Sequence, residues 1–362
     1  MKSSNIEHIA ALDHLRLMAA LLVFAFHVFH HVFGHWQPMP DIWAYGFITE
    51  GHTGVTLFFA LSGFLFMRIG LEGEMRYADF IRNRFLRIFP LFVFFYFIAI
   101  SVGRDDFRAA DVLYLFFSNL GQAPTSNSFI TGAAWTISVE FSFYLVLPFL
   151  VRFSREQGLG FLIRLLLLMA LVKLGAYAVT ARSTHMLYST LVGRFDQFLW
   201  GMLAAMVLHQ YGAALKQQAR FAWPWIVFLL WGALAWQAHD ASYFLAQPKQ
   251  LFWLFWGSLE AALWSALIML YVAAEVRWPT WLTKAMSQGG KWSYSLYLWH
   301  GLVIFTLGHY GLQWLPFDNV PFNFALTALW MLCASMAVAA VSYHTIEKPF
   351  LDLRRSYILR QR

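Results

Sequence analysis

The chain has 362 residues, of which 60% are hydrophobic and only 12% charged, and it carries a formal net charge of +7. Soluble domains carry about a quarter charged residues, so the composition excludes an ordinary soluble domain and indicates a polytopic membrane protein. The basic residues border apolar stretches, as cytoplasmic loops do, so the positive balance gives no reason to expect a nucleic-acid partner.

At about 20 apolar residues per crossing, hydropathy predicts ten spans, near 12–33, 52–69, 88–104, 133–151, 160–180, 188–208, 221–238, 251–273, 291–309 and 322–344. The expected fold is an all-α bundle with both termini in the cytoplasm. Residues 1–350 would form one transmembrane domain, and residues 351–362 a basic cytoplasmic tail resting on anionic headgroups. The first span reads as a signal anchor rather than a cleavable signal. With the N-terminus inside, only Arg104, Arg108, Arg182, Arg194 and Lys249 fall outside; Arg16 and Lys173 lie within spans, and every other Lys and Arg is cytoplasmic. Residues 111–121 are too short to cross and read as a re-entrant or interfacial piece. The single cysteine, Cys333, reads as a packing residue in an apolar stretch.

The first span holds Arg16 and His27. Eleven residues at about 100° each return to nearly the same helix face, about 16 Å further along. Asp13 precedes Arg16 on that side. A polar stripe in a membrane helix faces a bundle interior or a watery cavity; the plain alternative is a snorkelling arginine and a satisfied packing histidine. His30, His31 and His35 follow at helical spacing, but without a supporting cysteine no metal site is expected. The second span carries small residues around Ser62, suited to close helix approach.

Next comes Arg82-Asn-Arg84-Phe-Leu-Arg87 in the first cytoplasmic loop. Arg84 and Arg87, three apart, project to one side of a helical turn. Their guanidiniums, with Arg82, suit a polyanion or lipid phosphate. The fourth span opens with Trp135, Ser138, Glu140 and Tyr144. Glu140 lies about 20 Å up in a 30 Å core and His27 about 22 Å up, so the two could meet; otherwise each finds another partner, such as Trp135, Tyr144 or Ser62. Arg194 and Asp196 open the sixth span, as an acceptor entrance or a surface pair. Ser295, Tyr297 and His300 in the ninth span read as cavity lining or interhelical glue. Glu347, at the cytoplasmic end of the last span, is expected to pair with a loop arginine.

Six segments in order, from Leu12 to Phe350, carry a resemblance to the acyltransferase-3 family of integral membrane acyltransferases. They are LDHLR followed by His27, then GVTLFFALSGF, RNRFLRIFP, WTISVEFSFYLVLP, SYSLYLWH and IEKPF. The sequence departs mildly from the family pattern: His14 replaces a small residue, Asn83 a common arginine, and Phe92 a frequent tyrosine. The resemblance implies a multi-pass protein of the bacterial cytoplasmic membrane. It would move an acyl group, usually acetyl, from cytoplasmic acetyl-CoA or another acyl-CoA to a hydroxyl of an envelope glycan or lipid-linked sugar. It also implies that Arg16 and His27 are the family's essential pair, that Arg84 and Arg87 serve the CoA side, and that Glu140 is the acidic residue of the Trp-to-Glu motif. The expected site is therefore catalytic His27, Glu140 and Arg16; donor-binding Arg84, Arg87 and Arg82; and a cavity lined by Asp13, Ser62, Trp135, Ser138, Tyr144, Ser295, Tyr297 and His300. A transporter or flippase of an envelope glycolipid is the competing reading, since a polar stripe suits a substrate path equally well.

Overall fold

A computed structural model of the protein describes residues 5–31, 43–109, 132, 134–179, 184–240, 251–313, 317 and 319–359. Residues 111–121 and His35 lie outside them. The long helices are α1 (Ala10–Phe29), α2 (Thr53–Gly70), α3 (Tyr77–Val102), α4 (Ala134–Gln157), α5 (Leu159–Val179), α6 (Leu191–Asp240), α7 (Leu251–Ala273), α8 (Thr280–His309) and α9 (Val320–Ser342). Eight of the described helical stretches are long and apolar enough to cross a membrane. The chain is a polytopic all-α bundle. Its sole strand pairing is β1 (Glu74–Met75) against β2 (Ile358–Leu359), among the described residues.

Two boundaries differ from the hydropathy reading. The stretch 70–87 is not simply a loop, because α3 begins at Tyr77 and already carries Arg82, Arg84 and Arg87 on its first turns. Hydropathy marks where side chains turn polar, not where the backbone stops being helical. The expected sixth and seventh spans form one continuous helical stretch, α6. That stretch folds back on itself. Gln197 bonds the carbonyl of Gly257, while Gln237 accepts from Trp256, the adjacent residue of α7. Forty residues of straight helix would separate the two glutamines by about 60 Å. Lys216, midway between them, pairs with Glu275 beyond the far end of α7. The stretch therefore makes two crossings.

Packing is tightest where side chains are smallest. A Cβ on Gly63 of α2 would stand 2.0 Å from the carbonyl oxygen of Phe198 on α6. Small residues allow such backbone approach between membrane helices. Around it the rings of Phe59, Phe143 and Phe198 stack, with centroids 4.6 Å and 4.0 Å apart. A second close crossing places Gly290 of α8 against the backbone of Asp13 on α1. These two helices run side by side in parallel, which sets Asp13 beside Gly290, eleven residues into α8, and His27 beside His300. Cys333 faces outward from α9 instead of packing inside. Exposed Phe97, Leu171 and Trp225 belong to the outer apolar surface that lipid covers.

Candidate active site

A cavity of about 450 Å³ opens in the Lys/Arg-rich half of the bundle. Its wall includes Asp13 and Arg16 of α1, Ser62 of α2, Arg84 and Arg87 of α3, Glu140 and Tyr144 of α4, and Tyr297 of α8. Residues scattered from α1 to α8 thus converge on one space. Trp135, Ser138, Ser295, His300, Arg82 and His27 do not line it.

At its mouth, Asp13 is buried and accepts from Arg16 at 3.1 Å and bonds His8 at 2.6 Å. The i, i+3 spacing on α1 places Arg16 over Asp13. Arg87 reaches Glu347 at 3.1 Å and lies over the Tyr294 ring. Glu347 thus pairs with an arginine of the stretch read as the first cytoplasmic loop, whose backbone is helical here. Glu347 also accepts from Ser295, which is fully buried. Arg84 forms no ion pair among the described residues. Its guanidinium stacks 4.6 Å from the Phe66 ring, and its buried Nε has no hydrogen-bond partner there. Arg82 does not line the cavity, and its buried Nη1 has no hydrogen-bond partner among the described residues.

Further in, Glu140 accepts from Ser62 Oγ at 2.8 Å and from the Tyr144 hydroxyl. Its hydrogen bonds thus go to two of the alternatives weighed for it, not to His27. Glu140 does not lie level with His27 as counting from the span ends predicts, because hydropathy fixes that a span exists but not how far one helix slides along another. Ser62 sits ten residues along α2 from His52, about 15 Å of rise, and it holds Glu140 at that depth.

His27 meets His300 instead. His27 Nδ1 lies 2.8 Å from the Val23 carbonyl and 3.3 Å from His300 Nε2. His300 Nδ1 lies 3.3 Å from the Leu296 carbonyl. A carbonyl only accepts, so each Nδ1 carries its hydrogen, and His300 Nε2 accepts from His27. This fixes the tautomer of His27 and leaves the basic lone pair on Nε2. Tyr297 separates this pair from the cavity. It lines the wall, its ring lies 5.8 Å from that of His300, and its hydroxyl accepts from Thr136 at 3.1 Å.

The remaining candidates serve the outer half. Arg194 and Asp196 are neither exposed nor paired with each other. Arg194 bonds the Tyr188 carbonyl and Thr56 and packs over the rings of Tyr188 and Trp135. Asp196 forms a buried ion pair with Lys173 at 2.7 Å. Ser138 offers its carbonyl to Ser142. Among the described residues, no group of histidines, cysteines and carboxylates could hold a metal ion.

Sequence reasoning missed Tyr294, Asn83, Arg354 and Tyr357 around the cavity. Arg354 and Tyr357 lie in the presumed lipid-facing tail, and only folding shows that residues 353–359 lie against the protein. It also missed a buried polar group at the outer end of α2. There Glu50 bonds His52 at 2.9 Å and Gln237 at 2.8 Å. Burial pushes the Glu50 carboxyl up to about 8, opposed by nearby His30. The isolated acid at Glu50 was a usable signal, but its partner is 187 residues away.

A family model described as Acyltransferase domain matches residues 9–344. Nodulation protein 10 of Rhizobium leguminosarum bv. viciae is 26% identical, the match covering 96% of this chain and 95% of that protein. An O-acetyl transferase of Shigella phage Sf6 is 28% identical over 45% of this chain and 52% of its own. No solved structure matches significantly. With nearly its whole length matched and its family motifs gathered around one cavity, the chain belongs to the acyltransferase-3 family of membrane acyltransferases.

Proposed function

We propose that the protein is an O-acyltransferase that moves an acyl group, acetyl by the names of its relatives, from cytoplasmic acyl-CoA to a hydroxyl of an envelope sugar in the bacterial cytoplasmic membrane. The observation that carries this reading is the single cavity running from an unneutralised arginine, Arg84, to Tyr297, one ring away from the His27–His300 pair. Arg84 and Arg87 hold donor phosphates, because guanidinium forks match phosphate oxygens. The pantetheine arm runs past Ser62, Glu140 and Tyr144, with Arg16 and Asp13 guarding the mouth. His27 Nε2 takes the proton of the acceptor hydroxyl as its oxygen attacks the thioester carbonyl. The carbon–sulfur bond then breaks and CoA leaves as the thiol, taking up a proton. In this arrangement Val23 and His300, not Glu140, orient the base.

The test is turnover of radiolabelled acetyl-CoA by purified protein, with membrane extract as acceptor source. Wild type should consume label. His27→Ala should bind CoA without turnover, and Arg84→Ala/Arg87→Ala should lose binding. A wild-type protein that neither binds nor consumes acetyl-CoA would overturn the reading in favour of a glycolipid transporter.

A further inference from the structure

Residues 353–359 do not trail away from the bundle. The side chain of Asn83 on α3 clips the backbone of Arg355, donating to its carbonyl at 2.6 Å and accepting from its N–H at 3.2 Å. Asn5, ahead of α1, accepts from the Tyr357 N–H at 3.0 Å and from Ser356 Oγ at 3.1 Å. Arg76 donates to the carbonyls of Tyr357 and Ser356. The β1–β2 pairing then anchors Ile358 and Leu359. Tyr357, 1% exposed, seals the segment against Phe80. The segment is a strap tied to three separate parts of the chain, and Arg354 and Tyr357 on it line the same cavity as Arg84 and Arg87.

Arg84, Arg87 and Arg354 share the wall of that cavity. Of the acids on the wall, Asp13 pairs with Arg16, Asp352 with Lys348, and Glu140 accepts from two hydroxyls; Glu7 and Lys291 also line it, and Arg87 pairs with Glu347 behind it. Arg84 forms no ion pair among the described residues, and Arg354, whose Nε donates to the Leu351 carbonyl at 3.0 Å, lines the same wall. Burial and the neighbouring cations Arg84 and Arg87 push Arg354 down to about 10, so the site still presents it as a cation at neutral pH. Partly buried guanidiniums held together against their own repulsion favour a bound polyanion, and phosphate oxygens satisfy their fork of donors.

We infer that the strap completes the donor site, with Arg354 joining Arg84 as a ligand of the donor's phosphate groups and Asn83 positioning it by holding the strap. The assignment of the polyanion to a CoA donor rests on the function proposed above; the polyanion site itself does not. Asn83, where the family commonly has arginine, here serves as the clip.

The experiment measures binding of CoA and, separately, of inorganic pyrophosphate to detergent-purified full-length protein that elutes as a folded species. The variants are Arg354→Gln, Arg354→Lys, Asn83→Ala and the double Asn83→Ala/Arg354→Gln. Arg152→Gln, an exposed arginine distant from the cavity wall, controls for net charge. Loss of a charge-assisted contact should weaken both probes roughly tenfold in Arg354→Gln and Asn83→Ala. Arg354→Lys should recover part of the loss, Arg152→Gln should bind as wild type, and the double variant should be no weaker than Arg354→Gln, because both act through one contact. CoA binding that is equal in wild type and Arg354→Gln would overturn the strap assignment and leave the donor reading standing. Pyrophosphate binding that depends on Arg354, without any CoA binding, would uphold the polyanion site and overturn the donor reading. No binding of either probe to wild type would overturn both.

Discussion

His27 on α1 and His300 on α8 meet edge to face, with ring centroids 4.7 Å apart and His300 Nε2 3.3 Å from His27 Nδ1. The contact exists because α1 and α8 pack in parallel, with Gly290 allowing the backbones together at Asp13. In the proposed mechanism the two histidines take distinct roles, His27 as the base and His300 as the residue that orients it.

His27→Ala should lower acyl transfer by at least about a hundredfold, the usual scale for a lost general base. His300→Ala should cost roughly tenfold in kcat with little change in the KM for acyl-CoA, since it removes an acceptor and not a donor contact. His300→Gln, whose side-chain oxygen can accept from His27 Nδ1, should recover part of that rate. Steady-state kinetics on the three variants decide the matter; a His300→Ala enzyme as fast as wild type would remove the positioning role.

Glu140, Ser62 and Tyr144 form one hydrogen-bonded unit. Ser62→Ala and Tyr144→Phe should each reduce kcat/KM modestly, because the carboxylate keeps one donor. The double variant should fall by more than the product of the two single effects, approaching Glu140→Ala. Such coupling is expected of residues that share one network. Strictly multiplicative effects would show that the three act separately.

Gly63→Val should destabilise the bundle severely, since its Cβ would fall 2.0 Å from a backbone oxygen that cannot move aside. Overpacking costs about 1–3 kcal/mol even in adaptable cores. Gly175→Ala, on the open side of α5 with nothing within 4 Å, should leave the detergent-solubilised Tm unchanged. Fluorescence-detected size exclusion after heating reads both.

The raised Glu50 carboxyl gives a pH dependence of stability. Folding favours its protonated form, with an ordinary value of 4.5 and a folded value of about 8. The folded state therefore binds more protons than the unfolded state between those values, and stability falls as pH rises through that window. Buried His30 and His52 beside it are held below their ordinary value of 6.5 and act in the opposite sense below that pH, so the Glu50 effect should show as a Tm decline from pH 6.5 to pH 8 in wild type. Glu50→Gln, which keeps an oxygen for Gln237, should flatten that decline and be the more stable protein at pH 8. A Tm profile unchanged by the substitution would show that Glu50 does not set it.

Much of the site was legible from local features. An arginine and a histidine eleven residues apart in an apolar helix, an acid inside a span and paired arginines beside the membrane are each conspicuous, because ionisable groups there are expensive unless used. What could not be read was which of them meet. Glu140 was placed level with His27 by counting residues from span ends, but the axial slide of α4 against α2 put it beside Ser62.

Hydropathy and the cost of charge in lipid are enough to read the class of protein, the order of most apolar spans and the residues worth suspecting from the chain alone. The partnerships arise from packing between distant segments. Parallel packing of α1 and α8 joined His27 to His300, the folding back of α6 placed Gln197 and Gln237 against adjacent residues of α7, and Asn83 drew Arg354 to Arg84 across 270 residues of chain. Each depends on helix register and close approach, which arise from side-chain packing between segments remote in sequence and leave no local pattern to read.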